Sequence, residues 1–373
     1  MSTFALMAGG TGGHLFPAMA LAQELGRRGH AIHLMTDHRA TGYGDSFPAA
    51  QTHIVPSATP SVRNPAKFVT AGAVIGWGIG VAAAQLGPMK PDAAVAFGGY
   101  PVFPPFLAAR MRGIPGILHE QNAVMGRANR ALARFASRIA LSFEKTRYAE
   151  PFAAKCALIG NPVRDRVRAI AGTPYPDLLP GGALRILVTG GSQGARAFAD
   201  LVPPAIVALP EPLRHRLRIA QQCRAEDLDR VAEAYRQAKV NVELEPFFTD
   251  LPERMAASHL VICRSGASTV AELTVIGRPA ILVPLPGSID ADQRNNALFL
   301  EAAGGGWVAE QATLSPQSLG TRIAELFGEP QTLHNAAGAA KSLGQPAAVA
   351  KLADIAEALA SDARKGKGGG RVQ

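Results

Sequence analysis

Twice along this chain an apolar run ends in a cluster of glycines and resumes as an amphipathic run. The first passage is Phe4–Ala8, then Gly9-Gly10-Thr11-Gly12-Gly13, then His14–Arg28. The second is Leu184–Val188, then Gly190-Gly191-Ser192-Gln193-Gly194, then Ala195–Ala208. Glycine lets a backbone turn sharply and lets a ligand approach the main chain closely. Both passages therefore read as strand, tight turn, helix. Further strands are expected at Ala31–Met35, Ala93–Phe97, Gly116–Leu118 and Arg138–Leu141 in the first half. In the second half they are expected at Leu217–Ala220, Val240–Leu244, Leu260–Ile262 and Ala280–Val283. Strands that alternate with helical segments imply a parallel sheet covered on both faces.

At 373 residues the chain suits two domains better than one. The expectation is an α/β fold of two Rossmann-like, doubly wound domains facing a cleft. Residues 1–164 form the first domain and 184–345 the second. Residues 165–183, with three prolines in Thr173–Gly182, read as a linker. A last helix over about 346–362 is expected to pack back on the first domain, and 363–373 to be a disordered tail. Ligands of such sheets bind beyond the C-terminal strand ends.

Composition narrows the function. Hydrophobic residues make up 47% and charged residues 18%, as in an ordinary globular protein. Cys156, Cys223 and Cys263 are far apart and odd in number, which points to a reducing compartment and no zinc site. No basic stretch precedes an apolar core at the N-terminus, so no secretory signal is expected. The net charge of +9 favours anionic partners, but no nucleic-acid module is present, so nucleic acid is not expected among them. The first glycine cluster fails the dinucleotide fingerprint, because Leu15 stands where its third glycine belongs. Asp37 nevertheless ends the second strand, where a ribose-binding acid sits in dinucleotide folds.

Polar clusters recur at the expected strand ends: Phe97-Gly98-Gly99-Tyr100, His119-Glu120-Gln121-Asn122, Gly160-Asn161-Pro162-Val163-Arg164, Cys263–Glu272 and Asp292–Ala297. Taken with GGTGGH and GGSQGAR, in this order from about Gly9 to Ala303, they resemble the MurG family. The resemblance implies a GT-B type glycosyltransferase. The implied donor is UDP-N-acetylglucosamine. The acceptor is lipid I, the undecaprenyl-diphosphate-MurNAc-pentapeptide, and the product is lipid II of peptidoglycan synthesis. Transfer to the acceptor's C4 hydroxyl inverts the anomeric centre. The implied place is peripheral, on anionic lipid at the cytoplasmic face of the inner membrane, with cell-wall synthesis proteins as further partners. Another UDP-sugar enzyme of the same fold, such as a 2-epimerase, and a non-catalytic nucleotide-sugar sensor are the alternatives.

By resemblance the donor lies on the second domain. Ala267, Ser268, Thr269, Val270 and Ala271 open a helix whose N–H groups suit a diphosphate. Glu272 takes the ribose hydroxyls, Ser192 contacts the diphosphate, the Phe248 backbone holds the uracil and Gln293 orients the sugar. Read as residues alone, an exposed acid is the lesser alternative for Glu272, a helix cap is a compatible one for Ser192, and Phe248 is equally core. Arg164 and Asn122 serve from the first domain, and Thr11, Gly12 and Gly13 contact the acceptor. His14 begins a helix, where the dipole disfavours imidazolium, so a neutral ring suits a general base. It also reads as a structural histidine, and Glu120 is a competing base. No metal or cofactor is expected, so charge on the leaving UDP must meet helix dipoles, backbone N–H groups and Arg164.

Phe68–Met89 carries no charge, which is long enough to span a bilayer, but glycines at 72, 76, 78 and 80 dilute it. It also falls between strands of one sheet. It is read as an interfacial or buried segment, with Lys67, Ile75, Trp77, Ile79 and Lys90 as candidate lipid contacts.

Overall fold

The strand β1 (Thr3–Met7) carries Phe4 and Leu6 on one face and Ala5 and Met7 on the other, all buried. A strand apolar on both faces belongs at the centre of a covered parallel sheet. The computed structural model, which describes residues 1–39, 47–59, 64–191 and 194–368, places it there. Its sheet also contains β2 (Ala31–Thr36), β3 (Gln51–Ile54), β4 (Ala93–Ala96), β5 (Gly116–Glu120), β6 (Arg138–Leu141) and β7 (Cys156–Leu158). The seven strands run parallel in the order β3-β2-β1-β4-β5-β6-β7. Helices Gly12–Arg27 and Ala348–Gly368 cover one face, and Pro65–Met89 and Phe103–Met111 the other.

A second sheet repeats the plan. It holds β8 (Leu184–Thr189), β9 (Leu217–Gln222), β10 (Asn241–Glu245), β11 (Leu260–Cys263), β12 (Ala280–Leu282) and β13 (Gly306–Val308). Their order is β10-β9-β8-β11-β12-β13, again all parallel. Each sheet reverses direction beside its first strand, at β1/β4 and at β8/β11. These switch points open the crevices in which doubly wound sheets hold ligands.

The chain divides into two compact units, Met1–Arg164 with Pro346–Gln373, and Asp165–Gln345. Segment 165–183 belongs with the second unit. The buried Arg278 donates to Pro174 O at 2.8 Å, and the Tyr175 hydroxyl to His259 O at 2.8 Å. The tail expected to begin at 363 does not begin there, because the last helix continues to Gly368. Arg364 holds that turn down, donating to both oxygens of Asp92 and, at 2.6 Å, to Met1 O. Arg28 fixes the same helix by ion pairs of 2.7 Å to Asp354 and Glu357.

The uncharged stretch after Phe68 is one helix, Pro65–Met89, capped by Asn64, whose side chain accepts from Lys67 N at 3.1 Å. It is long and apolar enough to cross a membrane, yet it runs along the Phe103–Met111 helix. Close approach there depends on Gly78, where a β-carbon would overlap the Pro56 carbonyl oxygen. Gly76, on the same helix, has nothing within 4 Å of that position. Gly78→Ala should therefore lower Tm by several degrees, since overpacking costs about 1–3 kcal/mol and each kcal/mol moves Tm by roughly 2–4 °C in a unit of this size. Gly76→Ala should leave Tm unchanged or raise it. Equal shifts in thermal unfolding would contradict this packing.

Candidate active site

In the first unit the glycine turn after β1 leads into the helix Gly12–Arg27. Its cap residue Thr11 makes no side-chain bond to the helix N-terminus. The Thr11 hydroxyl lies instead 3.0 Å from His14 Nδ1. The ring packs against the turn that follows β4. A β-carbon on Gly99 would lie 3.3 Å from both Cε1 and Nδ1, and one on Gly98 3.5 Å from Nε2. Gly98 and Gly99 have φ of 85° and 80°, which side chains rarely adopt. Backbone here does the work of a side-chain wall, and it holds the imidazole flat against the switch point.

The loop after β5 and Asn129 behind it adjoin the same turn, Asn129 Nδ2 lying 3.5 Å from where a β-carbon on Gly98 would be. Glu120 is 1% exposed and its carboxylate accepts from Asn122 N at 3.0 Å, Gly126 N at 2.9 Å and Asn129 Nδ2 at 2.8 Å. Burial raises its pKa although these donors oppose the shift. Both oxygens are turned onto their own loop, so the geometry gives Glu120 a bracing task. Gln121 Nε2 donates to Phe97 O at 2.6 Å, tying the loop to the glycine turn. His119 lies behind, fully buried, with Nε2 3.3 Å from Gly160 O. Burial depresses both histidines, His14 and His119, to a pKa of about 4, and the Arg39 charge lowers His14 further. At neutral pH both rings are uncharged. Arg164 joins this group, its guanidinium 4.5 Å from the centroid of the Phe16 ring.

In the second unit the helix Ala267–Ile276 starts at Gly266 with no side-chain cap, leaving its first N–H groups to a ligand. Ala267 and Val270 are buried; Ser268, Thr269 and Ala271 are half-buried. Glu272 is 6% exposed, so it is not a surface acid. Gln293 Oε1 accepts from Leu285 N at 3.0 Å, which leaves the amide nitrogen as its remaining donor face. Phe248 is buried, with the Arg254 guanidinium 4.3 Å above its ring, so any contact from this residue must come from its backbone. Ser192 lies outside the described residues.

Several organising residues were not singled out in the sequence, although Arg264 and Asn296 lie within its polar clusters. Gln222, the last residue of β9, accepts from Thr189 Oγ1 and Gly190 N at 3.0 Å and donates to Gly191 O and Pro246 O. It thereby joins the second glycine turn to the chain before Phe248. Asn296 Nδ2 donates to Ser265 O at 3.2 Å, and Arg264 to Val283 O and Pro284 O. Asn129 braces both His119 O and Glu120. The sequence also holds two Asp-x-Asp tripeptides, the pattern with which other transferases hold a metal. Asp227 of the first is bonded to Arg230 at 2.7 Å, and Asp292 of the second caps Gln293 N at 2.7 Å. Among the described residues no group of three His, Cys, Asp or Glu side chains is placed to hold a metal ion.

Residues 4–141 match the glycosyltransferase family 28 N-terminal domain, and 185–359 the family 28 C-terminal domain. The chain is 51% identical over 359 residues to the UDP-N-acetylglucosamine–N-acetylmuramyl-(pentapeptide) pyrophosphoryl-undecaprenol N-acetylglucosamine transferase of Chelativorans sp. (strain BNC1), covering 96% of each. The transferase of that name from Mesorhizobium japonicum is 51% identical over 358 residues, 95% of each chain. The crystal structure of Acinetobacter baumannii MurG matches with a TM-score of 0.78 at 29% identity, over 96% of this chain and 99% of that one. The chain belongs to the MurG family. The UDP-GlcNAc 2-epimerase of Neisseria meningitidis matches with a TM-score of 0.67 but only 16% identity, over 94% and 98% of the chains, and shares the fold alone. Both MurG-family halves are present in order, each with its glycine turn at a switch point.

Proposed function

We infer that the protein is the inverting glycosyltransferase that moves N-acetylglucosamine from UDP-N-acetylglucosamine to the C4 hydroxyl of lipid I, giving lipid II for peptidoglycan. The observation that carries this reading is the 51% identity over 96% of the chain to transferases of that name. The alternatives of the same fold rest on likenesses below 20% identity, which speak to fold only.

On this reading the second unit holds the donor. The uncapped N-terminus of Ala267–Ile276 faces the diphosphate, where N–H groups and the helix dipole offset charge as UDP leaves. Glu272 accepts from the ribose hydroxyls, the Phe248 backbone reads the uracil, and Gln293 turns its free amide to the sugar. Ser192 and Arg164 add contacts to the nucleotide. The first unit holds the acceptor, with Thr11, Gly12, Gly13 and Asn122 at its polar end. His14 is the general base. If Nδ1–H donates to the Thr11 hydroxyl, Nε2 keeps a lone pair for the proton of the C4 hydroxyl. A pKa of about 4 makes a weak base in the free protein. An anionic acceptor bound beside the ring favours imidazolium and raises that basicity as the reaction begins. Glu120, committed to its own loop, keeps that loop in shape.

The protein works at the membrane on this reading, and we place it peripherally on the cytoplasmic face. Phe68, Val69 and Trp77 stand 52%, 70% and 69% exposed on the Pro65–Met89 helix, with Lys67 exposed beside Phe68. Exposed large apolar side chains beside a cation suit an anionic lipid surface. Lys90 is exposed at the far end, Ile75 is half-buried, and Ile79 packs on the protein core instead of serving lipid.

Two measurements test these assignments. With a soluble lipid I analogue and EDTA present, wild type should release UDP. His14→Ala should lower kcat by about 10²–10⁴ with donor affinity intact, the size of general-base help. Glu272→Ala should instead weaken donor binding tenfold or more, as hydrogen bonds to a charged acceptor are lost. Reversed effects would exchange or remove both roles. Separately, Phe68→Glu with Trp77→Glu should cut binding to vesicles containing phosphatidylglycerol by tenfold or more, given about 1.5–3 kcal/mol per buried large apolar side chain. Unchanged vesicle binding would move the docking surface elsewhere.

A further inference from the structure

The acid that ends β2 has no part in the site as described, although its place in the fold is a ligand-binding one. The β1/β2 register pairs Met7 with Met35, Ala8 N donates to Met35 O at 3.2 Å, and Thr36 Oγ1 donates to Ala8 O at 2.8 Å. Continuing that register sets Asp37 beside Gly9, at the edge of the first glycine turn. Asp37 is 4% exposed. In dinucleotide folds this position offers a bare carboxylate to a ribose. Here Asp37 Oδ2 accepts from Arg39 Nε at 2.6 Å instead. Its other oxygen is buried with no partner among the described residues.

The pair cancels the acid's charge and puts a guanidinium at this position. Asp37 engages only Nε of the guanidinium and fixes its direction, while the Arg39 side chain is 54% exposed. The two terminal nitrogens form the fork that matches phosphate oxygens. The uncapped start of the Gly12–Arg27 helix lies across the same turn. Arg39 is close enough to His14 for its charge to act on the ring. A cation, open helix N–H groups and a neutral imidazole thus converge on one turn.

We propose that Arg39, aimed by Asp37, binds the diphosphate of the lipid acceptor in the first unit. The proposal rests on the transferase reading above and names a substrate-binding residue for it. A ribose is disfavoured at this position, because one of the two carboxylate oxygens that its vicinal hydroxyls would use already holds Arg39. The diphosphate of the donor is the other source of the same chemistry, and the test separates the two.

The experiment compares wild type, Arg39→Ala and Arg39→Lys on two acceptors. Both carry MurNAc-pentapeptide, one on a short lipid diphosphate and one on the matching lipid monophosphate. Arg39→Ala should raise KM for the diphosphate acceptor about tenfold and for the monophosphate acceptor much less, with the Kd for UDP-N-acetylglucosamine unchanged. Arg39→Lys, which keeps the charge and loses the fork, should fall between. If Arg39→Ala does not fold, the selective rise in Arg39→Lys carries the test. Equal rises on both acceptors, no rise, or a weakened donor would overturn the assignment. Failure of wild type to turn over either acceptor would instead count against the transferase reading itself.

Discussion

An imidazole pressed between two backbone turns is the contact on which the first unit depends. The ring of His14 packs against Gly98 and Gly99, where a β-carbon would lie 3.3–3.5 Å from ring atoms and where φ of 85° and 80° disfavours any side chain. That contact joins the turn after β1 to the turn after β4, across the point where the sheet changes direction. It also partly desolvates the half-buried ring, which favours its uncharged form at neutral pH. Packing and chemistry are set by the same few atoms. The loop after β5 supports the contact from beneath, through Gln121 on Phe97 and Asn129 on Glu120.

The second unit solves a related problem with other means. Its glycine turn after β8 is held by Gln222 rather than by a histidine. Its helix N-terminus at Ala267 is left uncapped, as the one at Gly12 is. An anion can satisfy such a terminus without a metal or a lysine. Two units of one plan thus present different groups: one an uncapped helix N-terminus beside a glycine turn held by Gln222, the other such a terminus beside a neutral imidazole.

Much of this was legible in the sequence, for local reasons. Apolar runs such as Phe4–Ala8 and Leu184–Val188 are buried on both faces, so their periodicity is plain. The glycine turns announce themselves because few other residues fit there. β3 was invisible because Gln51-Thr52-His53-Ile54 is an edge strand, exposed for most of its length. β7 and β13 are too short to show a period. The polar braces were harder to read for a different reason. Asn129 and Gln222 act through partners on other elements, such as Gln222 on Pro246, and nothing in their own neighbourhood marks them. The tail was misjudged at 363–368 because composition does not reveal that Arg364 meets Asp92.

The charge state of one ring tests most directly the packing on which the account is built. The direct measurement is an NMR titration of the His14 imidazole in the full-length protein, assigned by comparison with His14→Gln. The account predicts a ring that is neutral throughout pH 6–8 and titrates near pH 4. An imidazole that titrates near the unperturbed value of about 6.5 would show a hydrated ring and contradict the packing on which the account is built.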